Sequence, residues 1–328
     1  MSTDKVKVLY IAGVGRSGTT ILGDVLGQIN GFFHVGELLF MGYHLLRYGR
    51  LLCGCGVPLQ QCELWSNILQ KALGPIDSTV LIEMFRLRNK CARVRHLPLL
   101  LFPGGASFLE PQLSTLTINL ERLYSTIRDV AGCRLIVDSS KNPHDAYILS
   151  RIPSIALYVV HLVRDPRATV YSWKNRKKFN PAFGKRVYSD WSQARLALDW
   201  GFTNFEISFI LGQSYERYLL VRYEDFVSKP KDVIESILDM VGERSDVLPL
   251  VEERKVELAT NHTVSGNPSR FERGTVKLTL DQEWKTKMTG IDRFIVTALT
   301  WPLLFHYRYP LLGGRTVFDT PVEMQDRS

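Results

Sequence analysis

The chain has few of the residues that mark a small secreted scaffold, and no stretch that marks a membrane span. Five cysteines (53, 55, 62, 91 and 133), an odd count in 328 residues, argue against a disulfide framework. The longest apolar stretch near the C-terminal end, Phe294–Phe305, contains Pro302 and falls short of a bilayer span. It reads as a core helix, with at most weak membrane contact and no stable insertion. Val6–Ala12 is too short for a secretory signal, lacks a small-residue cleavage pattern and runs straight into a glycine-rich turn. Cytoplasm is therefore the expected compartment. Repeats, low-complexity tracts and linker-like composition breaks are also missing, which leaves solenoids and disordered arrays out of consideration.

What is present is ordinary in bulk and distinctive in places. Apolar residues at 45% and charged residues at 23% fit a globular enzyme, and the length fits one large α/β core or two modest domains. The net charge, 41 − 33 = +8, suits a polyanionic ligand. The basic residues are scattered (Arg86, Arg88, Lys90, Arg93, Arg95; Lys174, Arg176, Lys177, Lys178) and carry no nucleic-acid motif, so nucleic acid is not an expected partner.

Hydrophobic patterning predicts strands at Lys5–Ala12, Phe32–Gly36, Arg134–Asp138, Ile155–Val163 and Tyr218–Arg222. Helices are expected at Thr19–Gln28, over most of Glu37–Ala131 apart from the cysteine loop and Pro98–Gly105, at Tyr188–Leu211, and after Pro230. Asn261–Gly274 reads as a polar loop. Apolar strands alternating with helices imply an α/β fold: a central parallel sheet in a three-layer α/β/α arrangement. Ligands collect at the carboxyl ends of such strands. The polar clusters Gly13–Thr20, Glu37, Asp138–Lys141 and Arg164–Ser172 all fall there, which points to one active site.

The segment Gly13-Val-Gly15-Arg16-Ser17-Gly18-Thr19-Thr20 aims backbone N–H groups and a positive helix end at one point, where phosphate or sulfate oxygens can sit. Three readings compete. Gly13, Gly15 and Gly18 satisfy the dinucleotide fingerprint, with Glu37 near where a ribose-binding acid belongs. The spacing also matches a nucleotide-triphosphate loop, except that Thr19 stands at the lysine position, which disfavours ordinary ATP or GTP hydrolysis. The third reading is a loop gripping one 5′-phosphate that carries a sulfonate, with Arg16 as the cation and Ser17, Thr19 and Thr20 as hydroxyl donors. A plain strand–turn–helix corner is the bland alternative, but Arg-Ser-Gly-Thr-Thr is too polar for one.

Arg164 leaves a buried strand, and Ser172 follows two helical turns later. Together they can hold a second phosphate. A dinucleotide enzyme has no use for that, whereas a nucleotide phosphorylated at both the 3′ and 5′ positions needs it. The alternative is a surface Arg164–Asp165 pair.

The loop Gly15-Arg-Ser-Gly-Thr-Thr20, the segment Val163-Arg-Asp-Pro-Arg…Ser172 and the turn Tyr223-Glu-Asp-Phe together resemble sulfotransferases that use 3′-phosphoadenosine 5′-phosphosulfate (PAPS). His262-Thr-Val-Ser265-Gly266-Asn267-Pro-Ser-Arg270 is similar to the late nucleotide-binding loop of bacterial members. Cys53-Gly-Cys55-Gly…Cys62-Glu-Leu-Trp65 also has counterparts there. The resemblance spans residues 8 to about 285 and is closest to the carbohydrate and protein-tyrosine branches and their bacterial relatives.

The resemblance implies a P-loop-containing fold and a single domain over 1–328, with 40–130 as a helical, acceptor-facing insertion. It implies PAPS as co-substrate, with no metal required. Gly15, Arg16, Ser17, Gly18, Thr19 and Thr20 would hold the 5′-phosphosulfate, and Arg164 and Ser172 the 3′-phosphate. Ser265, Gly266, Asn267 and Arg270 would close over the nucleotide. Catalytic roles fall to Glu37 as general base, to Lys141 at the sulfonate or bridging oxygen, and to Arg16. His34 and His161 lie on predicted strands, so a histidine base is not expected. Asp138 is expected to orient Lys141 or cap the next helix, with a magnesium-binding role as the losing alternative.

The acceptor, a small metabolite on this reading, is not spelled out. Phe40, Tyr43, Tyr48, Phe85, Arg86, Arg88, Phe102 and Phe108 are candidates to line its pocket. The cysteines are expected to be reduced, partly buried thiols. A zinc site would need His44 or Cys91 to complete the set Cys53, Cys55 and Cys62.

Overall fold

A computed structural model describes residues 5–74, 78–91, 110–175, 178–180, 185–187, 190–212 and 217–311. Pro98–Gly105, Arg93, Arg95, Phe102, Phe108, Arg176 and Lys177 lie outside the described residues, as does the expected helix start at Tyr188.

The central sheet contains β1 (Val6–Gly13), β2 (Phe32–Gly36), β3 (Leu135–Lys141), β4 (Ile155–Val163) and β7 (Tyr218–Arg222). Their order is β2-β3-β1-β4-β7, and every pairing is parallel. Two short strands, β5 (Lys178–Asn180) and β6 (Lys185–Val187), pair antiparallel with each other. Strands β8 (Leu250–Glu252), β9 (Lys255–Leu258) and β10 (Gly274–Lys277) form a separate small sheet.

Alternation along each central strand builds a core on both faces. From β1, Val8, Tyr10 and Ala12 enter one cluster, while Leu9 and Ile11 enter the other. From β4, Leu157 and Val159 go to the first cluster and Val160 and Leu162 to the second. The first cluster is covered by α2 (Met41–Tyr48), α3 (Glu63–Leu73), α4 (Ser78–Cys91) and the helix Glu110–Ala131. The second is covered by α1 (Thr19–Leu26) and the helix Pro230–Val241. A sheet buried on both sides needs apolar strands with little alternation in polarity, as the sequence shows.

Some bounds shift, the helix expected over Tyr188–Leu211 beginning at Gln193 and that expected over Thr19–Gln28 ending at Leu26, and two expectations change further. Strand β3 runs to Lys141 rather than stopping at Asp138, because the buried Ser139 and Ser140 form an irregularity in the ladder after which pairing with β1 resumes at Lys141. The apolar stretch near the C-terminal end forms the helix Gly290–His306, but it is not a core helix. Only the stripe Val296, Thr300 and Leu304 is buried, at the i, i+4, i+8 spacing of one helix face, while Ile291, Phe294, Trp301 and Phe305 are exposed. No described helix is long and apolar enough to cross a membrane.

Candidate active site

Parallel register brings the polar clusters to one end of the sheet. Ala12, at the end of β1, pairs with Lys141 of β3, and Gly13 pairs with Leu162 of β4. Gly36, at the end of β2, sits opposite Asp138. Glu37 therefore leaves β2 beside Lys141, and their side chains form an ion pair, both less than one-fifth exposed. Two of the three residues expected to be catalytic are thus in contact. Lys141 is also one of three described non-glycine residues with positive φ, at 73°. Such strain in a non-glycine residue persists only where the surroundings hold it, and functional sites are common among those places.

Arg16 is another of the three, at φ 74°. Its guanidinium lies 4.9 Å from the centre of the Trp173 ring, and the Trp173 indole N–H donates to the Gly15 carbonyl at 3.1 Å. The turn ends at Gly18, which adopts φ 93° at the start of α1 and packs against the Tyr223 ring, where a Cβ would clash. Both features require glycine there. Ser17 is buried, yet its hydroxyl has no hydrogen-bond partner among the described residues. Thr19 and Thr20 are buried in the first turn of α1, and Thr20 Oγ1 accepts the Asn267 N–H at 3.3 Å.

Arg164 joins the second segment directly to this turn, since its Nη1 donates to the Arg16 carbonyl at 2.8 Å. Its Nη2 donates to Asp281 at 2.8 Å, its guanidinium lies 4.7 Å from the centre of the Tyr223 ring, and its buried Nε has no partner among the described residues. Ser172 is buried in the helix Pro166–Asn175, next to Trp173. The alternative Arg164–Asp165 surface pair is absent: Asp165 is buried and takes a bidentate bond from Arg167.

The late loop closes over the same end. The Glu37 N–H donates to the Ser265 carbonyl at 3.2 Å, and Ser265 Oγ bonds His44 Nε2 at 2.6 Å. Gly266 lies against Thr20, and the Asn267 side-chain oxygen is buried without a partner among the described residues. Arg270, 1% exposed, donates from its guanidinium to the carbonyls of Thr263 and Leu52, which ties the late loop to the cysteine loop.

Burial sets the ionisation of the neighbours. It pushes His44 down to about 4, opposed by the nearby Glu37 carboxylate and aided by Arg270 and Lys141. The imidazole facing Ser265 is therefore neutral at pH 7. His161 is also pushed down to about 4 by burial, and its ring is bonded to Tyr218 and Asn204. His34 is wedged between Asp24 and Ser139. Both are held inside the fold. Asp138, wholly buried, is pushed up to about 6 by desolvation; it accepts from the Tyr124 hydroxyl and from the Ser140 N–H at 2.7 Å. Asp138 thus shapes the turn before Lys141, but it does not cap the next helix. Asn142 does that, accepting the His144 N–H.

A family model described as a sulfotransferase domain matches residues 7–295. The chain belongs to the sulfotransferase-domain family. No curated protein matches it. Among solved structures it is similar to a sulfotransferase domain from the curacin biosynthetic pathway, at 18% identity and TM-score 0.52 over 94% of this chain and 99% of that one. It is equally similar to a sulfotransferase domain from the Synechococcus PCC 7002 olefin synthase, at 19% identity and TM-score 0.52 over 94% and 97% of the two chains. These sulfotransferases share the P-loop-containing α/β/α fold.

Around the site of this sulfotransferase-domain chain, Phe40, Tyr43, Tyr48 and Phe85 cluster on the helices beyond Glu37, with Tyr43 touching the other three rings. Arg88 lies over Phe40 and is locked to Asp145 by a buried bidentate bond, whereas Arg86 is exposed beside Glu83. Sequence reasoning gave no supporting role to the aromatic rings of Trp173 and Tyr223, and it missed the Asp281 partner of Arg164. It also missed His262, which meets the cysteine loop in place of His44 or Cys91. A buried arginine expected to hold an anion is a signal to look for a carboxylate that neutralises it.

Proposed function

We propose that the chain transfers a sulfonate group from PAPS to a hydroxyl or amine of a small-molecule acceptor. Sulfonate transfer itself follows from the family; the donor, the acceptor class and the residue roles are the proposal. The observation that carries it is the Glu37–Lys141 ion pair, set at adjacent strand ends beside the Gly13–Thr20 turn.

Glu37 takes the acceptor proton as the acceptor oxygen or nitrogen attacks sulfur. The bond from sulfur to the bridging oxygen breaks, and adenosine 3′,5′-bisphosphate (PAP) leaves. Lys141 neutralises the charge growing on that oxygen. The transition state is loose and in line, as in phosphoryl transfer, so fixed positive groups account for most of the rate. Arg16, the N-terminus of α1 and the hydroxyls of Ser17, Thr19 and Thr20 supply that field at the 5′ end. Arg164 and Ser172 take the 3′-phosphate, and the Ser265–Asn267 backbone covers the nucleotide. The Ser17 hydroxyl, Arg164 Nε and Asn267 oxygen, which have no partner among the described residues, fit such a ligand, since buried polar groups are nearly always satisfied. Arg270 acts by holding the loop.

A P-loop kinase is the second reading. Thr19 at the lysine position counts against it, and so does Asp138, whose carboxylate is sealed under Tyr124 and out of reach of magnesium. Labelled PAPS incubated with a metabolite extract tests the proposal. A product heavier by SO₃, formed together with PAP and without added magnesium, is the expected result. Consumption of ATP with no PAP formed would favour the kinase.

A further inference from the structure

The cysteine loop and the late loop meet at a cluster that the transfer chemistry does not use. Cys53, Cys55, Cys62 and His262 place three sulfurs and one ring nitrogen within 4.8 Å of one another. His262 Nδ1 lies 3.3 Å from Cys62 Sγ and 3.5 Å from Cys53 Sγ. With Zn–S about 2.3 Å and Zn–N about 2.0–2.1 Å, the sulfur and nitrogen corners of a tetrahedron stand roughly 3.5 Å apart. We propose that these four residues bind one zinc ion in a closed, structural Cys₃His site.

The surrounding backbone is built to hold the four ligands. The Cys53 N–H donates to Val57 and the Gly56 N–H to Cys53, which folds the loop so that its first two sulfurs face Cys62 at the start of α3. Gly54 lies between the two cysteines against Asn261 and Thr263, where any side chain would collide, and its N–H donates to Thr263 at 2.7 Å. The His262 carbonyl accepts the indole N–H of Trp65, a wholly buried residue, so the backbone that carries the imidazole is anchored.

Charge agrees with the assignment. Zinc would displace the three thiol protons to solvent, and the ion with three thiolates and a neutral imidazole carries one net negative charge. Two guanidinium groups flank this loop: Arg270 donates to the Leu52 carbonyl, and Arg273 to the Gly54 carbonyl. Four protein ligands leave no open position, which separates this site from a catalytic zinc.

The metal would clasp the 53–62 loop to the segment after His262. That segment reaches the donor site: Val264 bonds to Val35, Ser265 to Glu37 and Asn267 to Thr20. Zinc would thus fix the wall behind Glu37 without touching either substrate.

Zinc is measured by plasma mass spectrometry on full-length protein made in zinc-supplemented medium and desalted. The structural site predicts about one zinc per chain. Titration of the thiols with an organomercurial should release that zinc into a colorimetric chelator. The triple variant C53S/C55S/C62S should retain at least about tenfold less, and H262A should retain less than wild type, while C91S and C133S keep the full amount. If the triple variant does not fold, cobalt loading of wild type decides, with thiolate-to-cobalt absorption expected. Zinc-free protein from replete medium that also lacks the cobalt signal would overturn the proposal. So would zinc content unchanged by H262A and by the triple variant. None of these readouts depends on PAPS or on turnover.

Discussion

The Glu37–Lys141 end of the sheet and the cysteine cluster are both sets of four or more polar residues held by backbone, yet they are encoded differently. At the sheet end each residue sits next to a recognisable local pattern: a glycine turn after a strand, an arginine at a strand tip, a glutamate one residue past β2. Parallel pairing does the assembly, because it carries the ends of β2, β3, β1 and β4 to one edge. In the cysteine cluster the local pattern supplies only three ligands, and the fourth, His262, is 200 residues beyond Cys62. No strand register predicts that meeting. Sites built by regular topology are readable from sequence, whereas sites built by two loops touching are not.

Four substitutions sharpen or break this contrast. The largest effect is expected at Glu37: Glu37→Ala should lower turnover by about a hundredfold or more, as for loss of a general base, with PAP affinity nearly intact by calorimetry. Weakened PAP with normal turnover would move Glu37 out of the catalytic role. Lys141→Ala should lower kcat more than it raises KM for PAPS, because its charge matters most as the bridging oxygen leaves. Full turnover in that variant would remove Lys141 from the chemistry.

Arg164→Ala should weaken PAP by about 1.5–3 kcal/mol, the range for hydrogen bonds to charged groups, and weaken adenosine 5′-phosphate less, through the lost bond to the Arg16 carbonyl alone. Equal losses for both ligands would reject a 3′-phosphate contact.

The smallest effect concerns Asp138, which holds the turn before Lys141. Desolvation raises its folded value to about 6, above that of an unfolded aspartate. Its contribution is therefore fully present below about pH 4 and is lost as pH rises through about 6. Wild type should gain stability relative to Asp138→Asn as pH falls from about 7 to about 5, read from denaturant midpoints. Parallel curves would contradict the assignment.

Much of the fold was legible because burial on both faces leaves continuous apolar strands. Phe32–Gly36, Ile155–Val163 and Tyr218–Arg222 have the expected bounds. The end of β3 was misplaced because Asp138, Ser139 and Ser140 are polar yet buried, satisfied by Tyr124, His34 and backbone partners invisible in sequence. The Gly290–His306 helix was misread because apolar content does not say how many of its faces are covered. Arg270 was expected at the nucleotide as part of the late-loop motif; the bonds of its guanidinium to the Leu52 and Thr263 carbonyls are contacts that no local pattern encodes. The aromatic cluster around Tyr43 was foreseen as residues but not as an arrangement, since it depends on how α2 packs on α4.

The account rests on one nucleotide being gripped at two phosphates by the Arg16 turn and the Arg164 segment. Titration calorimetry of PAP, adenosine 5′-phosphate and ATP, with and without magnesium, tests it most directly. PAP should bind tightest, with an affinity that magnesium does not change. Tight, magnesium-dependent ATP binding with no preference for PAP over adenosine 5′-phosphate would contradict it.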